Sequence, residues 1–364
     1  MKRFLAFFLS AAVMISLVGC TENKYPPVES TEEEAQVVMK IKIDGEEYDV
    51  RYELYRALFL NNKSRVDGGD SSVWSGDDAG KYVEEVNSII VEGLSEIYSV
   101  FHLAKQIGYD PYSDKADYEV EQYIIGAVEG DALQVGHGSY EAYLDSLKEQ
   151  NLNYSVATLL TRYAMAEEAI AEYYRGTVNE LGIREGEFEF SEQDVKDYYE
   201  SDGAARFLQV YLQSGTSSLA DAEEYRNRLF GYTDDLSMAE YIIGSTMATE
   251  TDLIKDGELT GIVMGKHELT SPVYSDYVDV IFGTPDGQIS EIVELYGSDA
   301  DGYYIIYRLS KSDEHFERCY STIESSYLDN IIGEKLKDAQ MKVLDGVYFT
   351  NEYQNISHKD ISMN

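Results

Sequence analysis

The chain has 364 residues, with 68 acidic against 29 basic side chains and a formal charge of −39. That balance argues against a nucleic-acid partner and against direct adsorption on anionic lipid, because both repel a polyanion. The length leaves room for two domains with substantial cores.

Lys2 and Arg3 precede an apolar run, Phe4 to Val18, broken only by Ser10 and Ser16, and the sequence SLVGC closes it at Cys20. Gly19 is the small residue that a signal peptidase requires beside the scissile bond. So short an apolar run, followed by a polar chain, does not read as a transmembrane span. The segment resembles a bacterial lipoprotein signal, in which cleavage falls just before a cysteine that carries a diacylglyceryl group. Leu17, Gly19 and Cys20 match that lipobox, and Val18 stands where Ala or Ser is common. The resemblance implies that residues 1–19 are removed and that Cys20 is lipidated, which anchors the protein on the extracytoplasmic face of a bacterial cell membrane. One acyl chain, at roughly 0.8 kcal/mol per buried CH₂, holds a protein only marginally, so a two-chain anchor makes physical sense. With Cys20 committed to lipid, Cys319 has no intramolecular partner, and the fold is expected to rest on packing alone.

Thr21 to Gln36 contains Pro26, Pro27 and the run Glu32-Glu33-Glu34 and has little to bury, so residues 20–36 read as a flexible tether. Val37 to Ile43 suits a strand, and Asp44-Gly45 is a strong hairpin-turn signal. The pattern then turns helical. Val83, Val86, Ile90, Leu94, Ile97, Phe101 and Ala104 recur at intervals of three and four, which defines one helix face, and Gly108 is placed to cap it. Tyr118–Val128, Tyr140–Leu147 and Val156–Tyr174 read as further helices, with Ser139 as an N-cap. His102 sits beside the buried stripe and His137 between glycines, and neither has a partner at metal-ligand spacing. The 32 tyrosines against a single tryptophan, Trp74, fit amphipathic helix packing.

From EGEFEF, residues 185–190, the texture changes. Residues 191–203 read as a short helix in which Ser191 and Asp194 have capping-box spacing. ARFLQVYLQ (205–213) reads as a strand, Leu219–Leu229 and Leu236–Ile243 as helices, and GYYIIYRLS (302–310) as a second clear strand. Phe316, Tyr320, Ile323, Tyr327, Ile331 and Lys335 then share one face of a long C-terminal helix, with Cys319 beside the stripe as a small core residue. That stripe is expected to pack on the N-terminal helices, and residues 191–312 to fold without it. There is no internal repeat, no Walker motif, no Gly-rich dinucleotide turn, no H-E-x-x-H and no G-x-S-x-G. Five histidines and one free thiol suggest neither a metal nor a cofactor, and paired carboxylates in so acidic a chain are solvated faces.

The order of these elements resembles the PrsA/SurA-type extracytoplasmic foldases, which carry parvulin-like peptidyl-prolyl isomerase domains. Glu192, Val195, Lys196, Tyr198 and Tyr199 match the pattern that leads into a parvulin domain, and Arg206–Leu212 looks like its first strand. GELTG (257–261) is similar to the family's Gly-Asp-Leu-Gly turn, with Thr260 in place of glycine. GTPDGQIS (283–290) is similar to the Lys-Pro-Gly-Glu-Ile-Ser segment, and GYYII to Gly-Tyr-His-Ile-Ile. The family's two strand histidines fall at Gln209 and Tyr304. Tyr277 and Phe282 have the spacing of the two aromatics before the Pro-Gly turn, and an insertion between Gly265 and Tyr277 carries His267.

The resemblance implies an α+β protein. Its mainly helical chaperone lobe, similar to the SurA N-terminal region, would comprise residues 37–190 and a C-terminal helix over 313–350. A parvulin-like antiparallel-sheet domain would be inserted over 191–312, and a tail would occupy 351–364. Unfolded or nascent exported polypeptides are the implied partners. Turning an X-Pro bond breaks no covalent bond, and the barrier of ~18–20 kcal/mol comes from amide resonance. Catalysis therefore needs a dry apolar slot and hydrogen bonds that favour the twisted imide. Gln209 and Tyr304 can donate and accept hydrogen bonds but do not reproduce paired imidazoles, so the implied pocket (Gln209, Tyr277, Phe282 and Tyr304) is degenerate and its isomerase activity weak or absent. The alternative is a solute-binding or structural envelope lipoprotein. A solute binder needs two similar α/β lobes about a hinge, which a single strand-rich module does not supply.

Overall fold

The computed structural model describes residues 24–130, 136–178, 184–245, 253–255, 257–269, 272–296 and 301–361. The lipobox and Cys20 lie outside them. The chain forms two compact units: Ala171–Lys337 is inserted into a unit made from the residues before it and those from Asp338 onward.

The first unit begins with β1 (Val37–Ile43) and β2 (Glu46–Arg51). The turn between them has positive φ at both Asp44 (46°) and Gly45 (91°), the backbone twist that a two-residue hairpin requires. Five helices follow: α1 (Tyr52–Asp67), α2 (Ala79–Gln106), α3 (Asp114–Glu129), α4 (Tyr140–Glu149) and α5 (Tyr154–Arg175). The α2 stripe is buried from Val86 to Ala104, with Val83 at its margin. Gly108, at φ 92°, ends that helix by donating to the Lys105 carbonyl. Ser139 caps α4 by accepting from the Ala142 N–H at 3.1 Å. The segment expected to be a tether makes contacts from Lys24 on: Tyr25 stacks on Tyr140 with centroids 5.1 Å apart, and the Tyr140 hydroxyl donates to the Pro26 carbonyl at 2.7 Å.

The inserted unit opens with α6 (Glu192–Glu200), whose capping box joins Ser191 and Asp194 reciprocally. It continues through β3 (Ala204–Gln213), α7 (Leu219–Leu229), α8 (Asp235–Ser245), β4 (Ile262–Gly265), α9 (Ser275–Gly283), β5 (Val293–Leu295) and β6 (Gly302–Leu309). The four strands form an antiparallel sheet in the order β4-β3-β6-β5. Alternation along β3 and β6 gives each face its own core. On one face Phe207, Tyr304 and Ile306 pack under Tyr277, Val278 and Ile281 of α9. On the other, Leu208, Val210 and Ile305 meet Tyr225 and Leu229 of α7 and Met238 and Ile242 of α8.

Helices α10 (Asp313–Arg318) and α11 (Tyr320–Gly346) follow. Here the structure departs from the sequence-based expectation. Phe316, Cys319 and Ile323 pack within the inserted unit, on Val195, Tyr198 and Tyr199 of α6 and on Ala204 and Val263 of the sheet. The reason is local: the paired tyrosines of α6 and the small Ala204 offer an apolar seat beside the point where the chain leaves β6. Cys319 is a buried free thiol in that cluster. The end of α11 joins the first unit, where Lys342 pairs with Asp44 at 2.7 Å. A Cβ at Gly346 would lie 1.9 Å from the Lys42 carbonyl oxygen, so only glycine permits this approach. β7 (Val347–Phe349) then adds to β1, giving the sheet β7-β1-β2.

Candidate functional site

Register places the expected pocket residues on one face of the inserted sheet. Tyr304 stands opposite Tyr211, and Ile306 opposite Gln209. Helix α9 crosses that face and brings Tyr277 onto it. The Tyr277 hydroxyl donates to Gln209 Oε1, and its ring meets Tyr304 edge-on with centroids 5.2 Å apart. Tyr211 stacks on Tyr304 at 4.9 Å. Tyr277 is 8% exposed and Tyr304 5%, so both rings are packed into this face. Burial pushes the Tyr304 hydroxyl well above the usual phenol range and keeps it neutral. Phe282 lies at the margin of the cluster, its ring centroid 5.7 Å from the Arg308 guanidinium.

Gln209, Tyr277 and Tyr304 are thus brought together, with Phe282 at the rim. Sequence reasoning missed Phe207, Tyr211 and Met264 as their companions. The alternation in ARFLQVYLQ already puts Phe207 and Tyr211 on the same face as Gln209. His267 is not part of this group: it follows β4, and its backbone N–H donates to Asn330 Oδ1 at 2.9 Å. His315 is elsewhere too, with Nδ1 2.8 Å from the Tyr199 hydroxyl and Nε2 2.8 Å from the Thr260 carbonyl. Among the described residues, no group of three or more His, Cys, Asp or Glu is placed to hold a metal ion.

The first unit contains a half-open cleft of about 910 Å³. Its walls include Tyr48 and Arg51 of β2, Tyr98 of α2, Tyr112, Val120 of α3 and Arg162 of α5, and residues 27–30 run along it. Tyr48 and Tyr98 are in ring contact at 5.2 Å. Arg162 donates to the Pro111 carbonyl at 2.6 Å and lies over Tyr112, 5.4 Å from its centroid. Buried Glu53 accepts from Ser30 (2.5 Å), Ser155 (2.7 Å) and Asn153 (2.8 Å), which fixes residue 30 to the start of α1. Burial, reinforced by Glu46, pushes the Tyr48 hydroxyl up to about 12. Nothing in the sequence pattern marks this cleft, because its residues come from five separate segments.

These features define an α+β protein: a helical unit with a small sheet, interrupted by a unit built on a four-stranded antiparallel sheet. Solved structures similar to it include PrsA from Bacillus subtilis, at 16% identity over 86% of this chain and 93% of that one, with a TM-score of 0.24. The peptidylprolyl isomerase PrsA from Bacillus anthracis is 16% identical over 68% of this chain and 95% of its own, with a TM-score of 0.27. The foldase protein PrsA from Streptococcus pneumoniae is 13% identical over 88% and 98%, with a TM-score of 0.25. The similarity therefore covers most of the chain at low identity and low TM-score. No protein-family model matches the chain, and no curated protein does. Among the described residues, no helix is long and apolar enough to cross a membrane.

Proposed function

We propose that this protein is a membrane-anchored extracytoplasmic chaperone for exported polypeptides, and that its parvulin-like unit contributes little or no prolyl isomerisation. The observation that carries the reading is the open cleft of the first unit. Its tyrosine and aliphatic walls, set among carboxylates, suit contact with an extended chain of varied sequence through apolar area and many hydrogen bonds. The high negative charge keeps such a complex soluble. The burial of Tyr277 and Tyr304 on this sheet face supports weak isomerisation, because their rings occupy space that a proline ring would need. The lipobox residues Leu17, Gly19 and Cys20 support the anchor.

The test measures two activities on one preparation: light scattering from an unfolding client, and cis-to-trans relaxation of a proline peptide. Suppressed aggregation with slow relaxation is expected. Fast relaxation that Tyr277→Ala abolishes would make the protein an isomerase first, and absence of both activities with a tightly bound small solute would favour the solute-binding alternative. Intact-mass analysis of membrane-purified protein should show a chain that begins at Cys20 with added acyl mass; membrane attachment unchanged by Cys20→Ser would sink the anchor.

A further inference from the structure

The sheet of the first unit ends on β2. The two-residue Asp44-Gly45 turn makes Ile43 and Glu46 a hydrogen-bonded pair, and the register then assigns the same kind of pairing to Ile41 with Tyr48 and Met39 with Val50. Tyr48 and Val50 therefore direct their backbone groups at β1, while Glu47 and Asp49 direct theirs outward. Among the described residues, those outward N–H and C=O groups have no backbone partner. An open strand edge is normally blunted or covered, since it is a template for another strand. Here Glu47, Tyr48 and Asp49 instead line the 910 Å³ cleft, with Tyr98 and Tyr112 among its other walls.

We infer that the outer edge of β2 is a strand-addition site, at which an extended polypeptide segment of net positive charge pairs with Glu47 and Asp49 and lays alternate side chains into the cleft. This deepens the chaperone reading by naming where a client is held and what kind of segment is preferred. Main-chain pairing supplies affinity that does not depend on sequence, and the cleft supplies the preference. The sign of that preference comes from the lining, in which six carboxylates stand against two guanidiniums; Lys40 and Lys42 pair with Glu47 and Asp49 on the sheet and still leave carboxylates in excess. The same charge disfavours a second copy of this chain as occupant, because its own β2 would bring Glu46, Glu47 and Asp49 against that lining.

The experiment uses the full chain and the capped peptide Ac-(Lys-Val)₄-NH₂ as probe, with residue-resolved amide hydrogen exchange as readout. Exchange at Glu47 and Asp49 is expected to slow by about ten-fold or more at saturation, while Tyr48 and Val50, already paired to β1, change little. The same peptide N-methylated throughout, or with Glu in place of Lys, is expected to bind at least about ten-fold more weakly. Bound peptide with unchanged exchange at Glu47 and Asp49 would overturn the inference, as would protection that grows with protein concentration in the absence of peptide, since the occupant would then be a second copy. Aggregation suppression without edge protection removes the strand-addition site and leaves the chaperone reading standing. Edge protection in a protein that suppresses no aggregation does the reverse.

Discussion

Truncating Tyr304 separates a packed core from an open binding face. Its ring is 5% exposed and lies against Tyr277 at 5.2 Å and Tyr211 at 4.9 Å. Replacing a buried aromatic by alanine loses the transfer free energy of the ring and leaves a cavity, together about 3–5 kcal/mol. Each lost ring pair adds about 0.5–1.5 kcal/mol, and partial collapse of Tyr211 and Tyr277 into the gap offsets some of this. Tyr304→Ala is therefore expected to cost about 3–5 kcal/mol, a large share of a typical domain stability of about 5–15 kcal/mol. For a unit of this size the thermal midpoint falls roughly 2–4 °C per kcal/mol, so the inserted unit should melt roughly 6–20 °C lower. Scanning calorimetry and urea titration of the full chain read this directly. Tyr277→Phe, which removes the bond to Gln209 and keeps the ring, should cost about 0.5–1.5 kcal/mol. A loss below about 1 kcal/mol for Tyr304→Ala, accompanied by weaker peptide binding, would show that the face is a ligand surface.

Burial, with the charge of Arg206 second, pushes His315 down to about 4 from an ordinary 6.5. The unfolded chain therefore takes up a proton first: the contribution of neutral His315 is complete above about pH 6.5 and is lost as pH falls toward 4, a slope that His315→Gln should flatten in urea titrations across that range. Burial raises Glu268 to about 7, against bonds from Ser326 and the Gly265 N–H that favour the carboxylate. The stability held by its protonated form is full below about 4.5 and lost as pH rises through 7, so Glu268→Gln should gain up to about 3 kcal/mol at pH 8 and nothing at pH 4. A fragment of residues 191–312 should fail to melt cooperatively by circular dichroism, because it lacks Phe316, Cys319 and Ile323; each full-sized apolar side chain contributes roughly 1.5–3 kcal/mol. The fragment Ala171–Lys337 should melt as a unit.

Local signals carried most of the helices and the two long strands into view. The Asp44-Gly45 turn, the three-and-four spacing along α2 and the Ser191–Asp194 capping box are each set by residues close in sequence, and each is present in the structure. What escaped depends on distant partners. Helix α1 has apolar residues nearly all round, with Leu54, Tyr55, Ala57, Leu58, Phe59 and Leu60 all buried, so it shows no single stripe. Strands β4, β5 and β7 are three or four residues long and exist because β3, β6 and β1 lie alongside them. The partner of the Phe316 stripe was misjudged for a related reason: periodicity reveals that a face is apolar but not which face it meets. The candidate pocket was legible as residues, through alternation on β3 and the placement of Tyr304, but its being full was not, because filling is a property of side-chain volume in three dimensions.

Gln209 and Tyr304 act together on the sheet face through their common neighbour Tyr277. The amide at 209 accepts the hydrogen bond of the Tyr277 hydroxyl, and an apolar side chain there would remove that acceptor at a cost of about 0.5–1.5 kcal/mol. The ring at 304 fills the volume between Tyr277 and Tyr211, which an imidazole would leave partly open. Both residues thus hold Tyr277 in place, one by a hydrogen bond and the other by ring contact. Histidine at 304 alone is expected to open a gap beside Tyr277, and histidine at 209 alone to give the phenol a new acceptor while the ring at 304 stays in place. If the proposed isomerase ancestry of this face holds, Gln209→His combined with Tyr304→His is the variant expected to raise relaxation of a proline peptide, and no gain over the natural chain would refute it.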